Sequence, residues 1–137
     1  ASVHLVALGE AWTVAKKSNL DLSKVYKGIA ASSGNSFVHE TESQVILNGS
    51  YNINFTMDLV LKDTGLFNDL AKKLNSSLEI SPKVVDIFKD GQKKYGSRAW
   101  SSMIVKRMED LNNISFRAKG FPEELIDNEV EEKGYEI

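Results

Sequence analysis

The amino-acid sequence predicts an all-α protein, a helical bundle of about six helices. Apolar residues recur with helical spacing along most of the 137 residues, and capping or helix-breaking residues separate these segments. Residues 50–54 alternate in polarity like a strand, but no second strand is available to pair with them. An ordered loop is therefore expected there, and no sheet is predicted.

Boundary signals divide the chain into its helices. Asp21 is expected to cap the second helix, and Asn48-Gly49 to end the third. Ser81-Pro82 combines a capping residue with a proline at the first helical position, so a helix is expected to begin there. The predicted helices cover residues 3–18, 22–31, 36–47, 56–74, 81–95 and 100–111.

The first helix is apolar on nearly every side and is therefore expected to be buried. It also begins abruptly, with only Ser2 as a weak cap. We interpret this start as a helix cut in its middle, and a frayed natural terminus is the alternative. The first interpretation predicts that the chain is part of a longer protein.

Composition excludes several classes of function. The chain has no cysteine, which excludes disulfide scaffolds and thiolate chemistry and fits a cytoplasmic location. No apolar run is long enough to span a membrane, so no membrane partner is expected.

Residues 123–137 carry a net charge of −6 and the residues before them +4. The lysines of this basic part are dispersed without a recognition pattern, so no nucleic-acid partner is predicted. His4 and His39 have no second ligand at metal-binding spacing, so no metal site is predicted.

A carboxylate stands among apolar residues of the fourth helix. At 100° per residue, Asp63 falls on one stripe with Leu59, Leu66, Phe67, Leu70 and Leu74. A buried carboxylate needs a partner, so Asp63 is predicted to be either a structural clamp between helices or part of a site. The neighbouring Lys62 falls on the opposite, polar stripe, four residues after Asp58.

Several short motifs together resemble a known family. They are Gly9-Glu10-Ala11, Asn19-Leu20-Asp21, Ala31-Ser32-Ser33-Gly34 and, above all, Phe55-x3-Leu59-x2-Lys62-Asp63-x2-Leu66. This set resembles the C-terminal helical domain of the β-hydroxyacid dehydrogenases, which include 3-hydroxyisobutyrate dehydrogenase. The resemblance covers residues 1 to about 111 and implies that this part of the chain is the C-terminal half of a 6-phosphogluconate dehydrogenase C-terminal-like domain. Residues 112–137 are expected to form an extended acidic tail.

The resemblance also implies a function. Such enzymes use NAD or NADP, bound by an N-terminal Rossmann domain that is absent from this chain, to interconvert a small hydroxyacid and a semialdehyde. Lys62 is expected to bind the cofactor, and Phe55 and Asp63 to shape the substrate pocket. No catalytic residue is expected in this chain, because the family's catalytic lysine belongs upstream of Ala1. The chain alone is therefore expected to be inactive.

Assembly and alternative functions remain open from sequence. Because the first helix is apolar all round and must still bury Leu5, Leu8 and Trp12, a homodimer or larger oligomer is expected. One alternative is a non-enzymatic helical module that serves only oligomerisation or interaction. Another is a free-standing helical protein that binds small acids.

Overall fold

A computed structural model describes residues 1–126 of the 137, and it is all-α as predicted. The helices are α1 (Ser2–Lys17), α2 (Leu22–Ala30), α3 (Phe37–Asn48), α4 (Met57–Lys73), α5 (Ser81–Tyr95) and α6 (Lys106–Asn112). The predicted sixth helix begins later than expected, because Ser101–Ile104 form a short 3-10 helix. Within the described part of the chain, extended pairing is limited to one isolated bridge between Thr56 and Trp100.

The predicted caps are largely confirmed. The Asp21 side chain accepts a hydrogen bond from the backbone N–H of Ser23 at 3.0 Å and so caps α2. Gly49 ends α3 in the left-handed conformation, with a φ of 99°. Helix α5 begins at Ser81, but Ser81 is its first helical residue rather than its cap, and Ile80 occupies the cap position.

Helix α1 lies at the centre of the fold and contacts α2, α3, α5 and α6. Leu5, Leu8 and Trp12 are buried within the chain itself, whereas Val14 is 68% exposed. The expectation that α1 is buried on every side is therefore wrong. Gly9 faces α6, where an added Cβ would lie 3.4 Å from the Met108 side chain. The absence of a side chain there allows the two helices to approach closely.

Helix α4 packs against α5, and its buried residues are Met57, Val60 and Ala71. This face differs from the stripe that contains Asp63. Four of the five large apolar residues of that stripe are more than half exposed, and the fifth, Leu59, is partly exposed; the four are Leu66, Phe67, Leu70 and Leu74. The prediction that Asp63 is buried among them is therefore wrong, because the apolar stripe lies on the surface of this chain.

The described residues after α6, 113–126, form no helix and pack against the bundle. Phe116 is completely buried, and the N–H of Ala118 donates to the carbonyl of Leu47 at 3.0 Å. The side-chain amide of Asn48 donates to the carbonyl of Phe121 at 3.0 Å. The acidic end of the predicted tail, residues 127–137, lies outside the described residues. Where residues 1–126 are concerned, no helix is long and apolar enough to cross a membrane.

Candidate functional site

A cavity of about 300 Å³ opens between the first turn of α1, the middle of α3 and the first half of α4. Phe55 and Asp63, the two residues expected to shape a substrate pocket, both line it. They are eight positions apart in sequence, one just before α4 and one in its second turn. The remaining lining residues are Ala1, Ser2, Leu5, Glu42, Val60, Thr64, Phe88 and Ser101.

Phe55 is positioned by the backbone that surrounds it. Its carbonyl accepts a hydrogen bond from the N–H of Ser101 at 2.7 Å. Two residues later, the N–H of Met57 donates to the carbonyl of Ala99 at 2.9 Å. The segment before α4 is thus joined to the segment before the 3-10 helix. The aromatic ring, 38% exposed, lies at the edge of the cavity on a fixed backbone.

Lys62 and Asp63 are both on the surface of α4. The Lys62 ammonium lies 3.3 Å from an Asp63 carboxylate oxygen, and the two side chains are 62% and 57% exposed. An ion pair so exposed contributes little to stability. Lys62 does not line the cavity; its exposed ammonium stands beside a residue that does. The cofactor-binding role expected of Lys62 stays a prediction.

Asp58, which helical spacing pairs with Lys62, contacts other groups. Its carboxylate accepts hydrogen bonds from the Thr56 hydroxyl, from the N–H of Leu59 at 3.0 Å and from Arg98 at 3.2 Å. The Thr56 hydrogen bond is the main cause of a pKa below the usual value for Asp58, and Arg98 adds to it. The Asp58 carboxylate is therefore occupied by hydrogen bonds at the start of α4, and the predicted i,i+4 pair with Lys62 does not form.

Glu42 of α3 lines the same cavity and was not predicted from the sequence to be a site residue. Its Oε2 atom is buried and, among the described residues, has no hydrogen-bond partner. Burial raises the pKa of this carboxyl to about 7. A signal was present in the sequence: Val38, Val45 and Ile46 stand at i−4, i+3 and i+4 from Glu42, on one helix face.

A second cavity, about 380 Å³, lies between α1, α2 and the turn Ser32–Ser36, with the exposed His4 at its edge. The polar groups of this turn are largely used within it. The Ser32 hydroxyl donates to the Ile29 carbonyl and accepts from the Gly34 N–H, while the Ser36 hydroxyl caps α3. The other histidine, His39, is fully buried and contacts the Tyr26 carbonyl and the Ser43 hydroxyl. Neither histidine contributes to the cavity of Phe55 and Asp63.

Comparison with curated proteins finds relatives with a shared name. The chain is 30% identical over 120 residues to L-threonate dehydrogenase of Haemophilus influenzae, a match that covers 88% of the chain and 39% of that protein. It is 29% identical over 106 residues to L-threonate dehydrogenase of Escherichia coli strain K12, which covers 77% of the chain and 35% of the relative. The chain thus spans about two fifths of the length of these relatives.

Solved structures have the same fold. A 3-hydroxyisobutyrate dehydrogenase from Salmonella typhimurium superposes with a TM-score of 0.71 at 26% identity, over 77% of this chain and 37% of that one. A 3-hydroxyisobutyrate dehydrogenase from Mycobacterium tuberculosis gives a TM-score of 0.66 at 19% identity, over 78% of this chain and 39% of that one. The second likeness is evidence of the fold alone.

A family model matches most of the chain. Residues 1–108 match the family described as "NAD-binding of NADP-dependent 3-hydroxyisobutyrate dehydrogenase". This match confirms the β-hydroxyacid dehydrogenase resemblance and the expected cofactor class, NAD or NADP. The chain therefore belongs to the NAD-binding family of the NADP-dependent 3-hydroxyisobutyrate dehydrogenases.

Proposed function

We propose that this chain is the helical domain of an NAD(P)-dependent 3-hydroxyacid dehydrogenase and forms one wall of the cleft that holds cofactor and substrate. The observation that carries the proposal is the cavity shared by Phe55 and Asp63, with the exposed Lys62 beside it. The substrate is a small hydroxyacid or the corresponding semialdehyde. Relatives named for L-threonate and 3-hydroxyisobutyrate support this substrate class.

The residues of this chain bind and orient rather than carry out proton transfer. In this proposal, Lys62 contacts the cofactor and the Phe55 ring covers the substrate. Asp63 lines the substrate pocket and forms an ion pair with Lys62. NAD(P) supplies the hydride chemistry and is bound mainly by a Rossmann domain elsewhere in the complete protein. The catalytic lysine also lies outside this chain, upstream of Ala1. The chain alone is therefore proposed to be inactive.

A matched ion pair on α4 allows a sharp test. Lys72 and Asp69 lie 3.3 Å apart and are exposed, like Lys62 and Asp63, but they lie outside the Phe55 cavity. Lys62→Ala in the complete protein should raise the KM for NAD(P) about tenfold, as expected for loss of a charged contact. Asp63→Asn should mainly change kcat/KM for the hydroxyacid. Lys72→Ala and Asp69→Asn should change neither, and equal effects of both pairs would contradict the proposal.

We further propose that the exposed stripe of α4 binds a second copy of the protein. Leu66, Phe67, Leu70 and Leu74 form an apolar surface that this chain by itself leaves exposed. Two copies packed about a two-fold axis would bury this surface of one copy against the same surface of the other. This surface replaces Leu5, Leu8 and Trp12, which are buried within the chain, as the basis for the expected oligomer.

A further inference from the structure

The lining of the Phe55 cavity combines an apolar base with one unsatisfied acceptor. Leu5, Val60 and Phe88 are buried and supply the apolar part. The Thr64 hydroxyl is not a free donor, because it donates to the carbonyl of Val60 at 2.7 Å. The Oε2 atom of Glu42 is buried without a partner among residues 1–126. A buried carboxylate oxygen in this state is costly unless a donor reaches it.

The size and position of the cavity favour a bound substrate as the group that donates a hydrogen bond to Glu42 Oε2. About 300 Å³ is at the lower end of the range for small-molecule sites and suits a hydroxyacid of a few carbons. Glu42 comes from α3, whereas Phe55 and Asp63 come from the α4 region, so a molecule in this cavity would contact residues from both sides.

We propose that Glu42 selects substrates that carry a hydrogen-bond-donating group, a hydroxyl or an ammonium, in addition to the reacting hydroxyl. This inference rests on the proposed dehydrogenase function. An alkyl substituent in the same place would leave the Glu42 oxygen without a partner. Sites built around a buried polar group reject analogues that lack the matching group far more strongly than apolar sites reject an extra or missing methylene.

The complete protein, with NAD(P), allows the inference to be tested on three substrates of similar size. L-threonate carries additional hydroxyls, L-serine carries an ammonium, and 3-hydroxyisobutyrate carries a methyl group. Glu42→Met should lower the kcat/KM for L-threonate relative to 3-hydroxyisobutyrate by about tenfold or more, because the acceptor is lost while the volume is kept. Measured above pH 7, where the Glu42 carboxyl is ionised, Glu42→Gln should lower the same ratio several-fold, because a neutral acceptor replaces a charged one. If the bound donor is an ammonium, Glu42→Gln should lower the kcat/KM for L-serine more than the kcat/KM for L-threonate.

The control is Glu40→Met, the same chemical change on the exposed side of α3, which should leave all three substrates unaffected. Glu42→Gln preserves side-chain size and carries the test if Glu42→Met does not fold. An equal loss for all three substrates would mean that Glu42 positions a group common to every reaction, and would overturn the inference alone. Unchanged ratios in both variants would overturn it as well. If the unaltered protein oxidised no hydroxyacid with NAD(P), the proposed function would fail together with the inference.

Discussion

Glu109 of α6 holds Phe116 in the core: the backbone N–H of Phe116 donates to the buried Glu109 carboxylate at 2.6 Å. The same carboxylate accepts from the Tyr51 hydroxyl and from Arg117 at 2.9 Å. Glu109 thereby joins three parts of the fold: α6, the loop after α3 that contains Tyr51, and the residues after α6 that include Phe116 and Arg117. Burial and the adjacent Glu109 carboxylate raise the pKa of the Tyr51 hydroxyl, so this phenol remains a donor.

Glu109→Ala should reduce the free energy of unfolding by about 3 kcal/mol, because it leaves buried donors without an acceptor. Asp86→Ala is the control, since Asp86 is exposed and its nearest cation, Lys89, is 3.9 Å away; it should change stability by less than about 0.5 kcal/mol. Chemical denaturation measures both. Similar values for the two variants would mean that Glu109 is not a structural residue.

Glu42 should make stability depend on pH in an identifiable window. Its pKa is raised to about 7 from an ordinary 4.5, so the folded protein holds the proton more tightly than the unfolded chain. The contribution to stability is fully present below pH 4.5 and is lost as the pH rises through 7. The total loss amounts to roughly 3 kcal/mol.

Glu42→Gln should remove this pH dependence. Relative to the variant, the unaltered protein should lose stability between pH 4.5 and 7 and change little outside that window. Thermal unfolding across a pH series measures the difference, with Glu40→Gln on the same helix as the matched control. A difference that stays constant from pH 4 to pH 8 would show that the Glu42 carboxyl does not titrate in this range.

Oligomerisation should depend on the exposed stripe of α4. Leu70→Glu, in the middle of the stripe, should place a charge in the proposed interface and shift the protein toward monomer. Lys72→Glu lies on the opposite side of the helix and should not have this effect, although it alters the charge more. Light scattering at micromolar concentrations measures both. If the unaltered protein is already a monomer, the proposed dimer contact is wrong and the stripe is covered by another part of the complete polypeptide.

Two mid-helix glycines should respond differently to the same substitution. Gly65 of α4 faces open space, so Gly65→Ala should stabilise the protein by about 0.5–1 kcal/mol through helix propensity. An added Cβ at Gly91 of α5 would lie 2.5 Å from Ile104 Cδ1 and 3.3 Å from Met57 Sδ, both in the core. Gly91→Ala should therefore destabilise by about 1 kcal/mol from overpacking. Equal melting shifts would contradict the close packing of α5 on the 3-10 helix.

The sequence was sufficient for the fold class, because caps and helical spacing are local properties. Asp21 and Gly49 could be assigned from the residue types alone, and both act as expected. The break inside the last predicted helix was not visible. Ser101–Ile104 form a 3-10 turn in contact with α5 and α6, and such contacts are tertiary.

The site residues illustrate a limit of helical periodicity. Asp63 was predicted to be buried because it is an acid within an apolar stripe. Glu42 shows the same pattern, and of these two residues Glu42 is the one with a buried carboxylate oxygen. Periodicity gives the direction in which a side chain points and not what it meets there. The stripe of α3 faces the core, whereas that of α4 faces outward. The proposed roles of Lys62, Phe55 and Asp63 came from the family resemblance and stay predictions.

The buried ring of Phe116 affects how related chains can differ in length. The family match ends at residue 108, yet this side chain eight positions later fills part of the core. A relative that stops after its last helix must close that space by other means, with a larger residue on a neighbouring helix or a tighter approach of α3 and α6. Differences at the ends of these proteins should therefore be accompanied by substitutions in their interiors.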